Sequence, residues 1–115
     1  MKVEEMNISK TPDKWVVLKM TDKNQSYYRV FGTWGGGYLQ RDSWRMNSGI
    51  KNFTEDDDYY YFIGFSGSCY KCKKSSYGVA TAYGHSIISD GIKQSPNHIE
   101  IMDEETNWNE IDWGD

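Results

Sequence analysis

From Lys14 to Thr21 the chain alternates. Trp15, Val17 and Lys19 fall on one side of an extended segment, and Val16, Leu18 and Met20 on the other. This period of two predicts a first strand. Asp22-Lys23-Asn24-Gln25 has the composition of a turn. Aromatic and β-branched residues then mark a second strand from Tyr27 to Trp34 and a third from Tyr38 to about Trp44. Met46-Asn47-Ser48-Gly49 predicts a turn into a fourth, short strand from Ile50 to Phe53. Glu55-Asp56-Asp57-Asp58 reads as a solvated loop tip, because adjacent carboxylates repel one another. Tyr59–Phe65 and Cys69–Ser75 follow as two more strands.

After Tyr77-Gly78 the period changes. Val79, Ala82, Tyr83, Ser86, Ile87 and Asp90 follow a helical rhythm, which predicts a short helix from about Gly78 to Ile88, ending before Gly91 and covering one face of a sheet. Gly84 weakens such a helix by about 1 kcal/mol relative to alanine. Pro96 ends regular structure, and His98–Met102 reads as a last edge strand. Residues 1–13 read as a lead-in ending at Thr11-Pro12-Asp13, since proline interrupts regular pairing.

Two stretches echo each other thirty-two residues apart: Phe31-Gly32-Thr33-Trp34-Gly35-Gly36-Gly37-Tyr38-Leu39 and Phe62-Ile63-Gly64-Phe65-Ser66-Gly67-Ser68-Cys69-Tyr70. The shift brings Tyr28 onto Tyr60, Gly32 onto Gly64, Gly35 onto Gly67, Tyr38 onto Tyr70 and Ser43 onto Ser75. Each copy reads as strand, glycine turn, strand. The elements together predict an α+β domain that is mainly antiparallel β. Six or seven short strands would form a strongly curved or barrel-like sheet, built on two duplicated glycine-turn hairpins, with one short helix.

Composition sharpens this picture. The 115 residues suffice for one domain with a small core. Nine tyrosines and five tryptophans, against a hydrophobic fraction of 37%, require a core of large rings whose polar ends seek partners. The formal charge of −4 is uneven. Residues 103–115 hold six acids and no base, which leaves a weakly basic body. Residues 1–102 are therefore read as a single β-rich domain and 103–115 as an acidic tail, flexible or loosely docked. Trp108 and Trp113 in that tail would dock on the body or on a partner. The acidic N-terminal residues, without an apolar stretch, predict no secretory signal. Two cysteines three apart favour a reducing, cytoplasmic setting, and no membrane partner is expected.

Candidate chemistry is sparse. Cys69 and Cys72 form a C-x-x-C, but on a strand residues three apart face opposite ways, so two reduced thiols, one buried, are expected. His85 and His98 stand too far apart for a zinc finger. The acidic run lacks the spacing of a calcium loop, and the triple glycine is not followed by a helix that would make it a phosphate cradle. No cofactor or metal is expected. No known catalytic motif is present, and an enzyme would have to rely on His85. The strongest functional signal is interleaving of rings and bases. Trp34, Tyr38, Arg41, Trp44 and Arg45 surround the first glycine turn; Tyr70, Lys71, Lys73 and Tyr77 follow the second. Rings stack on bases, and Lys or Arg neutralise phosphate. The competing reading places the rings in the core and the bases on a solvated sheet edge.

The chain also resembles small accessory proteins of tailed bacteriophages. The likeness lies in Lys14-Trp15-Val16-Val17-Leu18-Lys19, in Gly35-Gly36-Gly37-Tyr38-Leu39 with Asp42-Ser43-Trp44-Arg45-Met46-Asn47-Ser48-Gly49-Ile50, in Gly64-Phe65-Ser66-Gly67-Ser68 with Tyr70 and Tyr77-Gly78, and in the tryptophan-bearing acidic end. It brings no activity of its own. It implies a virus-encoded, non-catalytic binding protein of the bacterial cytoplasm. Such a protein would antagonise a host component, in a defence system for example, by capping a host protein or sequestering a small nucleotide. The alternative is a single-stranded nucleic-acid binder with an OB-like barrel and the acidic tail as regulator.

Overall fold

A computed structural model describes residues 8–22, 25–34, 43–79, 82–94, 98–111 and 113. The strands are β1 (Lys14–Asp22), β2 (Gln25–Trp34), β3 (Ser43–Met46), β4 (Ile50–Glu55), β5 (Tyr59–Gly64), β6 (Cys69–Lys73) and β7 (Ile99–Ile101), with helix α1 (Ala82–Gln94) between β6 and β7. They form two sheets, a four-stranded one in the order β3-β2-β1-β7 and a three-stranded one in the order β4-β5-β6. All strand pairs are antiparallel. The fold is α+β and mainly antiparallel, as the alternation predicts.

The expected barrel-like sheet is not formed; among the described residues neither sheet closes on itself. The ladder breaks at Asn47, directly after β3. Its N–H donates to the Val30 carbonyl (3.1 Å), while its Oδ1 accepts from Val30 N–H (3.0 Å) and Gly49 N–H (3.3 Å). Asn47 thus takes up the backbone groups of Val30, and Ile50 begins a new sheet against β5.

The four-stranded sheet is the middle layer. Its register places Val16, Leu18, Met20, Phe31 and Met46 on one face and Trp15, Val17, Tyr28 and Val30 on the other. The first set packs with Ile87, Ile88 and Ile92 of α1. The second meets Phe62, Tyr70 and Cys72 of the three-stranded sheet. The helix covers one face as expected, but it begins later and continues through Gly91 to Gln94. Ile88 and Ile92, one turn apart on the buried side, compensate for the roughly 0.5–1 kcal/mol that a helical glycine costs.

The segment read as a tail is seated on the body. Trp108 is only 2% exposed and packs in the inter-sheet core. Its ring meets Phe62 edge-on at 5.9 Å and stacks with Trp113 at 6.3 Å; Trp113 meets Tyr28 edge-on at 5.3 Å. The acids of 103–105 are exposed while the rings point inward, so charge alone misrepresents this segment.

The antiparallel pairs β2–β3 and β5–β6 correspond to the two expected hairpins, but they lie in different sheets and their registers differ. Phe31 pairs with Met46, and the thirty-two-residue shift would carry this pair onto Ile63 and Gly78; Ile63 instead faces Cys69. The second turn is closed by Gly67, whose N–H donates to the Gly64 carbonyl at 3.0 Å with φ at +90°. The triple glycine and residues 38–42, where the third strand was expected to start, lie outside the described residues.

Candidate functional site

The lead-in supplies one wall of a cleft. Ser9 and Lys10 N–H groups donate to the Cys69 carbonyl (2.8 and 3.3 Å), Lys71 N–H donates to the Lys10 carbonyl (2.9 Å), and Cys69 N–H donates to Ser9 Oγ (3.1 Å). Lys10 bridges Tyr70 in parallel fashion. These bonds fix residues 9–11 along the free edge of β6. Pro12 then packs onto β2, where a Cβ at Gly32 would lie 2.9 Å from Pro12 Cβ. This close approach requires the glycine.

The opposite wall comes from the ends of β2 and β3. Trp34 Nε1 donates to the Thr11 carbonyl (3.0 Å), anchoring the indole against the lead-in. Arg45 is exposed, and its Nη1 donates to the Trp44 carbonyl (2.7 Å). Ser9, Lys10, Thr11, Trp34 and Arg45 line an open cleft of about 260 Å³. Among the described residues the one ion pair is Lys74 with Glu55, at 2.8 Å, so neither Lys10 nor Arg45 is neutralised by a described carboxylate. The described lining thus carries two cations within an acidic chain, an arrangement that concentrates anions. Burial, with the Cys72 thiol, raises the Tyr70 phenol pKa, and the Arg45 charge opposes the rise.

Of the residues singled out from sequence, Trp34 and Arg45 meet in this cleft. Tyr70 adjoins it from inside the core, 5% exposed, and its buried ring is not a surface platform. Trp44 faces the other side of its sheet and stacks on Phe31 at 5.3 Å and 13°. Lys71 lies over the Tyr59 ring at 4.4 Å on the outer face of the three-stranded sheet. Exposed Lys73 contributes its carbonyl, which accepts from Trp15 Nε1 at 2.7 Å. The Tyr77 hydroxyl accepts from Val17 N–H and donates to the Met102 carbonyl. Of the two surfaces expected to receive the tail tryptophans, the body or a partner, it is the body that holds Trp108, buried by Phe62 and Trp15, with Trp113 packed beside it. Tyr38 and Arg41 lie outside the described residues. The two copies therefore do not build one shared surface from equivalent positions among the described residues.

Sequence reasoning missed Ser9, Lys10 and Thr11. Their one local signal is a polar, basic triplet before Pro12; their partners, sixty residues away, are set by the pairing with β6. The C-x-x-C places Cys72 in the inter-sheet core and Cys69 on the opposite face, as the strand period requires, but both thiols are buried rather than one. Burial raises the pKa of each, which disfavours thiolate chemistry.

The described residues define a two-sheet α+β domain with a small cleft walled by an indole and two basic side chains. Compared with protein-family models, curated proteins and solved structures, the chain matches none. No helix among the described residues is long and apolar enough to cross a membrane.

Proposed function

We propose that the protein is a non-catalytic binding protein that sequesters a small nucleotide in the cleft between Ser9–Thr11 and Trp34/Arg45. In the setting that the phage resemblance implies, this would antagonise a host component in the bacterial cytoplasm. The observation that carries the reading is the meeting of an anchored indole with two cations free of described carboxylates. An indole offers a face to a base, a guanidinium can grip phosphate through two parallel bonds, and an ammonium adds a point charge. The volume favours a small ligand, because about 260 Å³ falls just under the roughly 300–1,000 Å³ of sites that enclose drug-sized molecules. Capture of a host protein through aromatic anchors has less support, since Tyr70 and Trp108 already serve the core.

Calorimetric titration with mononucleotides carrying one to three phosphates tests the reading. Binding should be saturable and strengthen with phosphate count. Lys10→Glu/Arg45→Glu should lose roughly ten- to hundredfold in affinity, the value of a charge-assisted hydrogen bond, with an unchanged melting point, because exposed charges seldom support a fold. No binding by wild type, or equal binding by the double variant, would overturn it. Tight binding of single-stranded oligonucleotides with a steep salt dependence would transfer the cleft to the alternative function.

A further inference from the structure

A second concavity lies between α1 and the four-stranded sheet. Leu18, Met20, Phe31, Met46 and Ile99, with Ile87, Ile88 and Gly91 of the helix, line about 190 Å³ of it. Every described side chain of the lining is apolar. An apolar cavity of about 150 Å³ stays dry and accepts benzene, so this one has room for somewhat more hydrocarbon. Two features show that the space is not simply a core awaiting a larger residue. Gly91 lines it, although among the described residues a Cβ there would meet only Ile99 Cδ1, at an ordinary 3.5 Å. The helix keeps an unfavourable residue without steric need. Met20 and Met46, the most adaptable of apolar side chains, border the same space.

The polar feature is Arg29. It lies on the same face of the sheet, directly across from Leu18 and two residues from Phe31. Its Nη1 has Met46 Sδ as acceptor, at 3.9 Å, and its cation sits 5.5 Å from the Tyr27 ring centroid. Its Nε is buried with no hydrogen-bond partner. Among the described residues Arg29 has no carboxylate partner. A buried guanidinium nitrogen satisfied by nothing is rare and needs an acceptor. Arg29 does not line the cavity itself, but Leu18, its cross-strand partner, and Met46, its sulfur acceptor, both do, so an anionic group at Arg29 would adjoin hydrocarbon in the cavity.

We infer that this cavity is a binding site for a small amphipathic carboxylate, with a hydrocarbon chain of roughly six to eight carbons, by comparison with benzene, against Leu18, Phe31, Ile88 and Gly91 and its carboxylate on Arg29. The site is separate in residues from the cationic cleft, and neither assignment depends on the other.

Methyl NMR of the full chain, titrated with octanoate and in parallel with 1-octanol, tests it. Octanoate should shift the Met20, Met46 and Ile88 methyls saturably and raise the melting temperature, since a ligand of the folded state stabilises it. Arg29→Gln should weaken octanoate roughly ten- to hundredfold while leaving 1-octanol unchanged. Gly91→Leu, which fills the cavity, should abolish both; the Arg29 arm decides the matter if that variant does not fold. Unshifted methyls in wild type would overturn the site. Equal octanoate affinity in Arg29→Gln would overturn the carboxylate assignment.

Discussion

The two faces of the four-stranded sheet are covered by different chemistry. Towards the three-stranded sheet, Trp15, Tyr28, Phe62, Trp108 and Trp113 interlock through tilted, stacked and edge-to-face contacts, with Trp15 and Tyr77 at 4.8 Å and 90°. Towards the helix, isoleucines and methionines meet Leu18 and Phe31 and leave about 190 Å³. Rings have few torsions and large flat faces, so a set of them fixes one arrangement. Aliphatic side chains around a helical glycine tolerate a gap and can adjust to what enters it. The ring face holds the molecule together, and the aliphatic face is the one that can change its contents.

The largest way to break this contrast is at Trp108. If its ring is structural, Trp108→Ala should lower stability by about 3–5 kcal/mol, the cost of deleting a large buried ring. Urea denaturation followed by far-UV circular dichroism measures this. A stability within 1 kcal/mol of wild type would make residues 103–113 an ornament on the fold rather than part of its core (~1 kcal/mol being the usual cost of an ordinary substitution).

Tyr77 touches both faces, packing with each core cluster. Burial pushes its phenol up to about 12, and the charges of Asp103 and Glu104 add to the rise against the Val17 N–H. A pKa raised on folding means that the neutral phenol is favoured in the native state. Its contribution is complete below the unfolded value of about 10 and is lost as the pH rises through about 12, amounting to roughly 2–3 kcal/mol at most. Tyr61, also raised to about 12 by burial and by donating to Asp56, acts in the same window. Tyr77→Phe should therefore flatten, without abolishing, the fall in stability between pH 10 and 12. An unchanged slope in denaturation curves across that window would refute the assignment.

The legible and illegible parts of the molecule divide along the range of the interactions. The two sides of β1 could be read residue by residue, because alternation is local. The helix was legible as an element, but its end was misplaced at Gly91, where contacts of Ile88 and Ile92 with the sheet override propensity. The split into two sheets depends on Asn47 folding back on Val30, and the docking of Trp108 on a partner surface forty-six residues upstream at Phe62. Neither has a local signature. For the cleft, ring and base interleaving found Trp34 and Arg45, whereas the Ser9–Thr11 wall is created only by pairing with β6. The same interleaving picked out Tyr70 and Trp44, which pack inward, because composition does not say which side of a strand a ring occupies.

One substitution made on each side of the sheet gives the finest test of the contrast. Gly32 belongs to the ring-packed face, and a methyl there would lie 2.9 Å from Pro12 Cβ, a carbon of a rigid ring that also positions the lead-in. Gly32→Ala should therefore destabilise by about 1–3 kcal/mol through overpacking, and the displaced lead-in should weaken ligand binding in the cleft. Gly91 belongs to the aliphatic face, and the same methyl would make an ordinary 3.5 Å contact with Ile99. Gly91→Ala removes the entropic cost of a helical glycine without a clash, so it should stabilise by about 0.5–1 kcal/mol. Thermal melts of the two variants should thus move in opposite directions from wild type. If Gly91→Ala also lowers the melting point, the space beside the helix is tighter than its lining implies, and the two faces are packed alike.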